Sequence, residues 1–254
     1  MNRIYWSEDK ITMLTDHLDA KKHSHFMLQL FLSLEGNMEI LVSGKRISCK
    51  GILVNQNISH AFRAKKKLHL SVLIEPASGL AEQLNKKMKE KDYLFLEGPE
   101  IDGLQKQATE MIEDESLSCY HKFMERLYQY MDVDTSQKQY DERIRQLFWL
   151  LDSCNCDDHR ISAFAEKIAL SPSRLSHLFR EQTGVSLKSY ILLHQMEKAF
   201  IELLNGATIT QAAMEAGFDS PSHFAATVKR MMGMPASLSL KDSRFLKVHS
   251  VEMR

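Results

Sequence analysis

The stretch SPSRLSHLFR at Ser171–Arg180 is echoed 49 residues later by SPSHFAATVKR at Ser220–Arg230. In both, a serine offers a side-chain oxygen to the free amides of a first helical turn. A proline then occupies the position where its missing N–H costs nothing. The matched positions continue as Leu175 and Phe224, Phe179 and Val228, Arg180 and Lys229, so each helix carries an apolar face with a cation just beyond it. A short helical pattern precedes each start. Ile161, Phe164, Ala165 and Ile168 fall at i, i+3, i+4 and i+7, and Ile209, Ala212, Ala213 and Ala216 repeat that spacing. The second pattern opens on Thr208 and Gln211 in capping-box spacing, and its turn holds Gly217, where a left-handed backbone is cheap; the first, one residue shorter, has Ala169 there. Between the units, LKSYILLHQMEKAFIELLNG sets Tyr190, Leu193, Met196, Phe200, Leu203 and Leu204 on one stripe and stops at Asn205-Gly206.

Two helix-turn-helix units joined by a connecting helix follow from these patterns. Such a unit lays the start of its second helix in the DNA major groove, and two units one helical turn of DNA apart, roughly 34 Å, read the same face. A purely structural helical repeat makes the same stripes, so periodicity alone leaves both readings open. Net charge is zero, yet residues 160–254 hold 12 basic against 8 acidic side chains, and the remainder 21 against 25. The polarity has the sign a phosphate-binding surface needs, but it is small.

The runs FAEKIALSPSRLSHLFREQTGVSLKSYI and TITQAAMEAGFDSPSHFAATVKRMMGMPAS resemble the tandem helix-turn-helix domain of AraC-type transcription regulators over about 90 residues. The resemblance implies double-stranded promoter DNA as partner. It implies base-edge contacts from Ser173, Arg174, Ser176 and His177 in the first reader and from Ser222 and His223, with Ala226, in the second. Phosphate contacts would come from Arg180, Lys229 and Arg230. Three features depart from the family pattern. Ala226 replaces a long polar reader, Gln195 an arginine, and GMPAS inverts the usual Pro-Ser ending. Alanine reaches a thymine methyl but makes no bidentate base contact, so the second reader is expected to be the less selective.

In the N-terminal half, His23 to Leu34 alternates strictly. His23, His25, Met27, Gln29 and Phe31 share one face, Phe26, Leu28, Leu30, Leu32 and Leu34 the other, and both faces read as buried. Strand-like runs follow at NMEILVSGKRISC, GILVNQ, HAFRA and LHLSVLIEP, which predicts a small antiparallel barrel or sandwich ending near Pro76. The spacing of His23, His25, Gln29 and Gly36, with His60 downstream, resembles the metal motif of cupins, the fold of AraC-type sensor domains. Gln29 stands where a carboxylate would complete that set, and a neutral amide is a poor ligand for divalent iron, manganese or zinc. The expectation is no metal and no cofactor, with His23, His25, Gln29 and His60 lining a pocket for a small-molecule effector; a bound metal and inert core histidines stay open as alternatives.

Beyond the barrel, GLAEQLNKKMKEKD, YHKFMERLYQYM and YDERIRQLFWLL read as amphipathic helices, one of which is expected to make a homodimer. CNCDDH at Cys154–His159 offers three ligating residue types without a fourth at zinc-site spacing and reads as a linker. At 254 residues, 44% hydrophobic and 26% charged, the chain is long enough for two folded domains. The boundaries read as 1–110 for the sensor, 111–155 for a helical linker and 156–254 for the DNA-binding domain, an α+β chain. With four scattered cysteines, no signal-like N-terminus and no apolar run of membrane length, the expected location is the cytoplasm, off the membrane. The reading is a ligand-responsive regulator rather than an enzyme, with RNA polymerase as a further partner; the alternative is a metal-dependent cupin enzyme carrying a DNA-binding module.

Overall fold

A computed structural model describes residues 2–7, 9–16, 18–114, 116–134, 138–153, 159–232 and 243–247. Cys154 to Asp158 and the GMPAS segment therefore lie outside the described residues. The chain divides into two compact units, residues 1–137 with 230–254, and residues 138–229.

The first unit is built from two sheets. β1 (Asn2–Ser7), β2 (Lys10–Thr15), β4 (Leu28–Ser33), β7 (Gly51–Val54), β9 (His69–Ile74), β10 (Tyr93–Leu96) and β11 (Ser243–Lys247) form a seven-stranded sheet in the order β10-β7-β4-β9-β2-β1-β11. β3 (Asp19–His23), β5 (Met38–Val42), β6 (Lys45–Cys49) and β8 (His60–Arg63) form a four-stranded sheet in the order β3-β8-β5-β6. Pairing is antiparallel except between β11 and β1, which run parallel with Asn2 opposite Ser243 and Trp6 opposite Lys247.

The alternation from His23 to Leu34 is not one strand, as its period suggested. β3 ends at His23 in the small sheet and β4 begins at Leu28 in the large one, so the chain changes sheets between them. Alternation survives because both sheets need an inward face. Leu28, Leu30 and Leu32 join the core that includes Leu80 and Leu84 of α1 (Gly79–Met88), Ile101 and Leu104 of α2 (Glu100–Glu113), and Tyr120 and Phe123 of α3 (Leu117–Met131). On the opposite face, the Phe31 ring lies 5.1 Å from Phe62 and 6.0 Å from His60, both on the small sheet.

Several elements were not legible in the pattern: β1, β2, β10, β11 and α2. The sheet does not end near Pro76, because β10 returns to pair with β7 and Gly51 lies against the Leu96 side chain, where an added Cβ would meet Leu96 Cβ at 2.9 Å. Helices α2 and α3 are fastened to the sheet by polar and aromatic contacts. Arg3 donates to the carbonyls of Met111 and Ile112, the latter at 2.6 Å. Gln105 Nε2 donates to the carbonyls of Ser33 and Gly36 at 2.8 and 3.1 Å. Tyr5 and Tyr120 stack at 4.5 Å with an interplanar angle of 6°.

The second unit is helical: α4 (Glu142–Asp152), α5 (Ile161–Lys167), α6 (Pro172–Thr183), α7 (Leu187–Leu204), α8 (Ile209–Glu215) and α9 (Pro221–Met232), the last crossing the unit boundary. The sequence division 111–155 thus spans the 137/138 boundary, with α3 on one side and α4 on the other. Phe148 of α4 lies 6.0 Å from Phe179 and 5.3 Å from Tyr190, ring to ring, and Asp141 N–H donates to Gln182 Oε1 at 2.9 Å. The repeat is reproduced in detail. Ser171 Oγ accepts from Arg174 N–H at 3.2 Å, Ser220 Oγ from His223 N–H at 3.1 Å, and Thr208 with Gln211 forms the capping box.

Both turns close alike. Leu170 N–H donates to Ala165 O at 2.9 Å and Phe218 N–H to Ala213 O at 3.0 Å, with Ala169 at φ +54° and Gly217 at φ +76°. An L side chain there costs about 1–2 kcal/mol, offset in part by glycine's larger loss of chain entropy. Gly217→Ala should therefore destabilise the helical unit by about 1 kcal/mol and Ala169→Gly should leave it equal or more stable, measured by denaturant unfolding. A large loss for Ala169→Gly would show that the Ala169 methyl is needed for packing.

Candidate DNA interface and sensor cluster

The first reader helix is held from below and bare above. Leu175, Leu178 and Phe179 are buried, while Ser173, Arg174, His177 and Arg180 are exposed. Together with Ser171 and Glu181, those four line an open concavity of about 580 Å³. Ser176 is only half exposed, and its Oγ donates to Pro172 O at 2.8 Å, so that hydroxyl is already committed to the helix backbone. α9 repeats the design. Phe224, Thr227 and Val228 are buried, and Ser222, His223, Ala226, Lys229 and Arg230 are exposed. His223 Nδ1 sits 3.2 Å from Asp219 Oδ2, which fixes the ring and turns Nε2 away from that carboxylate.

Two residues matter here that periodicity did not reveal. Gln195, where the family pattern has arginine, is buried, and its Nε2 donates to Gly217 O at 2.6 Å, holding the turn of the second unit from the connecting helix. Asp219 orients His223. Both act through backbone or side-chain geometry, and neither has a motif of its own.

In the first unit, His23, His25, Gln29 and His60 meet between the sheets. The imidazole centroids are 4.3 Å apart for His23 and His60, 5.1 Å for His25 and His60, and 5.5 Å for His23 and His25. One ring nitrogen from each of the three lies within 4.8 Å of the others. Each Nδ1 faces a backbone carbonyl: Lys21 O at 2.7 Å for His23, Met27 O at 3.1 Å for His25, and Ile58 O at 2.8 Å for His60. Gln29 Oε1 lies 3.0 Å from His25 Nε2 and 2.9 Å from His60 Nε2, and Gln29 Nε2 donates to Ser71 Oγ at 2.8 Å. His23 Nε2 is buried without a partner among the described residues. Burial disfavours the imidazolium and lowers the pKa of all three, to about 4 for His25 and about 3 for His60.

Two reader helices on a shared connecting helix, capped alike and exposing polar outer faces, define a tandem helix-turn-helix DNA-binding domain. Residues 164–241 match the family model described as a helix-turn-helix domain. Over 101 residues the chain is 34% identical to the arabinose operon regulatory protein of Salmonella typhimurium and 33% identical to that of Escherichia coli. Each alignment takes in 38% of this chain, and about a third of the length of these curated relatives. The fold as a whole is similar to that of ToxT from Vibrio cholerae O395, with a TM-score of 0.54 at 16% identity over 92% of this chain and 98% of that one. A fatty-acid-bound ToxT structure aligns with a TM-score of 0.51 at 15% identity, over 92% and 95%. Residues 164–241 thus belong to a helix-turn-helix domain similar to that of the arabinose operon regulators, and the chain shares its fold with ToxT.

The lowered imidazole pKa values give a pH dependence. Above the ordinary histidine value near 6.5 both states are neutral; as pH falls below it, the unfolded chain takes up protons that folded His25 and His60 refuse, until about pH 4 to 3. Stability contributed by the neutral cluster is thus present above about pH 6.5 and lost on acidification. With chelator present, the melting temperature should fall between pH 6.5 and 4, and a His25→Gln/His60→Gln variant should show a shallower fall. Equal slopes would show that other groups carry the acid sensitivity.

Proposed function

We propose that the chain is an effector-responsive transcription regulator of the AraC type, which binds promoter DNA through α6 and α9 and senses a small molecule in its first unit. The observation that carries this reading is the pair of reader helices, each capped by Ser-Pro, each exposing a polar face, in a region sharing a third of its residues with arabinose operon regulators. Ser173, Arg174, His177, Ser222 and His223 face base edges, with Ser176 limited by its bond to Pro172 O; Arg180, Lys229 and Arg230 face phosphate. The chain acts as a regulator and not as an enzyme. No described helix is long and apolar enough to cross a membrane. The proposed place of action is the cytoplasm, beside RNA polymerase. A homodimer through the helices between residues 116 and 152 matches paired DNA sites, and the exposed Leu117 and Trp149 are apolar surface for a second copy to cover.

Two measurements test the DNA half, and a third tests the effector half. His177 is exposed one turn into α6 with a donor and an acceptor on its ring, so His177→Ala should relax base preference in one half-site by about 1–3 kcal/mol, read by selection from random DNA. An unchanged selected sequence would remove His177 from the readers. Arg180→Ala should instead weaken all sequences alike and reduce the salt slope by about 1.

ToxT has been solved with an unsaturated fatty acid and with a substituted butenoic acid, both carboxylic acids. By analogy, an acidic or hydroxylated effector is proposed here, received by His23, His25, Gln29 and His60. A compound at a hundredfold excess over its Kd adds about 2.7 kcal/mol to the folded state. One member of a carboxylic-acid panel should accordingly raise the melting temperature of the wild type but not of His25→Ala/His60→Ala. Stabilisation that survives the double change would put the effector elsewhere.

A further inference from the structure

The first unit carries opposite charge on its opposite faces. Residues 19–67, which include the whole small sheet, hold nine Lys and Arg against three Asp and Glu; residues 68–134, which supply α1, α2 and α3, hold seven against fourteen. The large sheet separates the two sets, since Leu28, Leu30 and Leu32 of β4 pack into the helices while Phe31 packs toward the small sheet. On the small sheet, Lys21 and Lys22 of β3, Arg63 of β8, and Lys45 and Arg46 of β6 are exposed, and the acids on its strands are Asp19 and Glu39. On the helical side, Glu100, Asp102, Glu110 and Glu113 of α2 are exposed instead.

The turn after β8 adds three more cations in a strained backbone. Lys65 and Lys66 stand at φ +52° and +63°, and Lys67 N–H donates to Ala64 O at 3.0 Å, closing a turn whose two central residues are both left-handed. Gly, Asn and Asp are the residues such a turn favours, because the Cβ of other residues crowds the following carbonyl there. The β5–β6 hairpin of the same sheet meets that demand with Ser43 and Gly44, at φ +49° and +79°. Local folding gains nothing from lysine at positions 65 and 66, so the strain points to a use for their charge. Lys65 Nζ reaches Glu39 Oε2 at 2.7 Å, an exposed pair that water screens, and this contact sets the turn beside the small sheet.

We propose that the outer face of the small sheet and the Lys65–Lys67 turn form a second DNA contact, which takes the phosphate backbone of duplex flanking the site read by α6 and α9. This rests on the DNA-binding reading of those two helices. Lysine and arginine on phosphate add affinity without reading bases. Once the readers hold DNA, the first unit is tethered to it through the chain, so contacts too weak to bind alone are effective. The acidic helical face is repelled by the same duplex, and the charge pattern therefore turns the small sheet toward it. The competing occupant is a second copy of the chain, whose helical face has the complementary sign.

The test titrates the full chain, across a salt series, with two duplexes. One is the site selected from random DNA with two helical turns of flanking duplex on each side; the other is the same site without flanks. The flanked duplex should bind at least tenfold more tightly at low salt and more steeply with salt, each added phosphate contact contributing about 0.9 to the slope. Lys65→Asn/Lys66→Gly installs favoured turn residues, so it should raise the melting temperature while removing about 2 from that slope and leaving binding to the trimmed site unchanged. Lys65→Arg/Lys66→Arg should keep the flank advantage, and Lys22→Gln/Arg63→Gln, on the sheet itself, should reduce it. Equal affinity for the two duplexes would overturn the flank contact with the readers left in place, since the trimmed site still binds. A flank advantage that survives both charge removals would overturn it by placing the contact elsewhere. Self-association without DNA that Lys65→Asn/Lys66→Gly abolishes, seen by sedimentation with DNA binding unchanged, would assign the face to a second copy and overturn it too.

Discussion

Burial of both faces of β4 is the constraint on which the first unit depends. Leu28, Leu30 and Leu32 must lie under α1, α2 and α3, and that leaves Gln29 and Phe31 no place except the space between the sheets. A slip of one residue would exchange the two sets and put an amide into the helical core, where its polar atoms would lose their partners. Because β4 pairs with β7 and β9, its register also fixes Leu73 and Val54 opposite Gln29, and Ser71 opposite Phe31. The polar cluster is thus positioned by apolar packing on the far side of the sheet.

The small sheet completes it. β8 brings His60 opposite His23 of β3, with the register shift between Ala20 and His23 setting that pairing. His25 lies in the crossing between sheets, where strand pairing no longer dictates side-chain direction, and its contacts with Met27 O and Gln29 orient it instead. The cluster is a device for rigid placement of nitrogen atoms in a site with few charges.

In the second unit the same economy appears in helical form. Phe179 and Phe224 anchor the two readers from beneath, and Phe148 and Tyr190 extend the first anchor into α4 and α7. Buried aromatic contacts hold the helices, and serine caps fix where they begin, so the exposed faces are free to carry whatever residues DNA demands. Gln195 of α7 ties the connecting helix to the turn of the second unit through the carbonyl of Gly217.

The tandem repeat, its capping residues and the connecting helix could all be read from the chain, because caps and helical periodicity act within a few residues of each other. α3 and α4 were legible for the same reason. Much of the large sheet was not. β2 pairs with β9 and β10 with β7, strands far away in sequence, and the run from His23 to Leu34 alternates across a change of sheet that no local pattern marks. The four residues of the cluster were named by spacing, but spacing says nothing about protons. That Nδ1 of each histidine faces a carbonyl, and that Gln29 stands between two imidazoles, follows from two sheets closing on one another. Local physics wrote the helical unit into the chain; long-range packing alone decided what the first unit encloses.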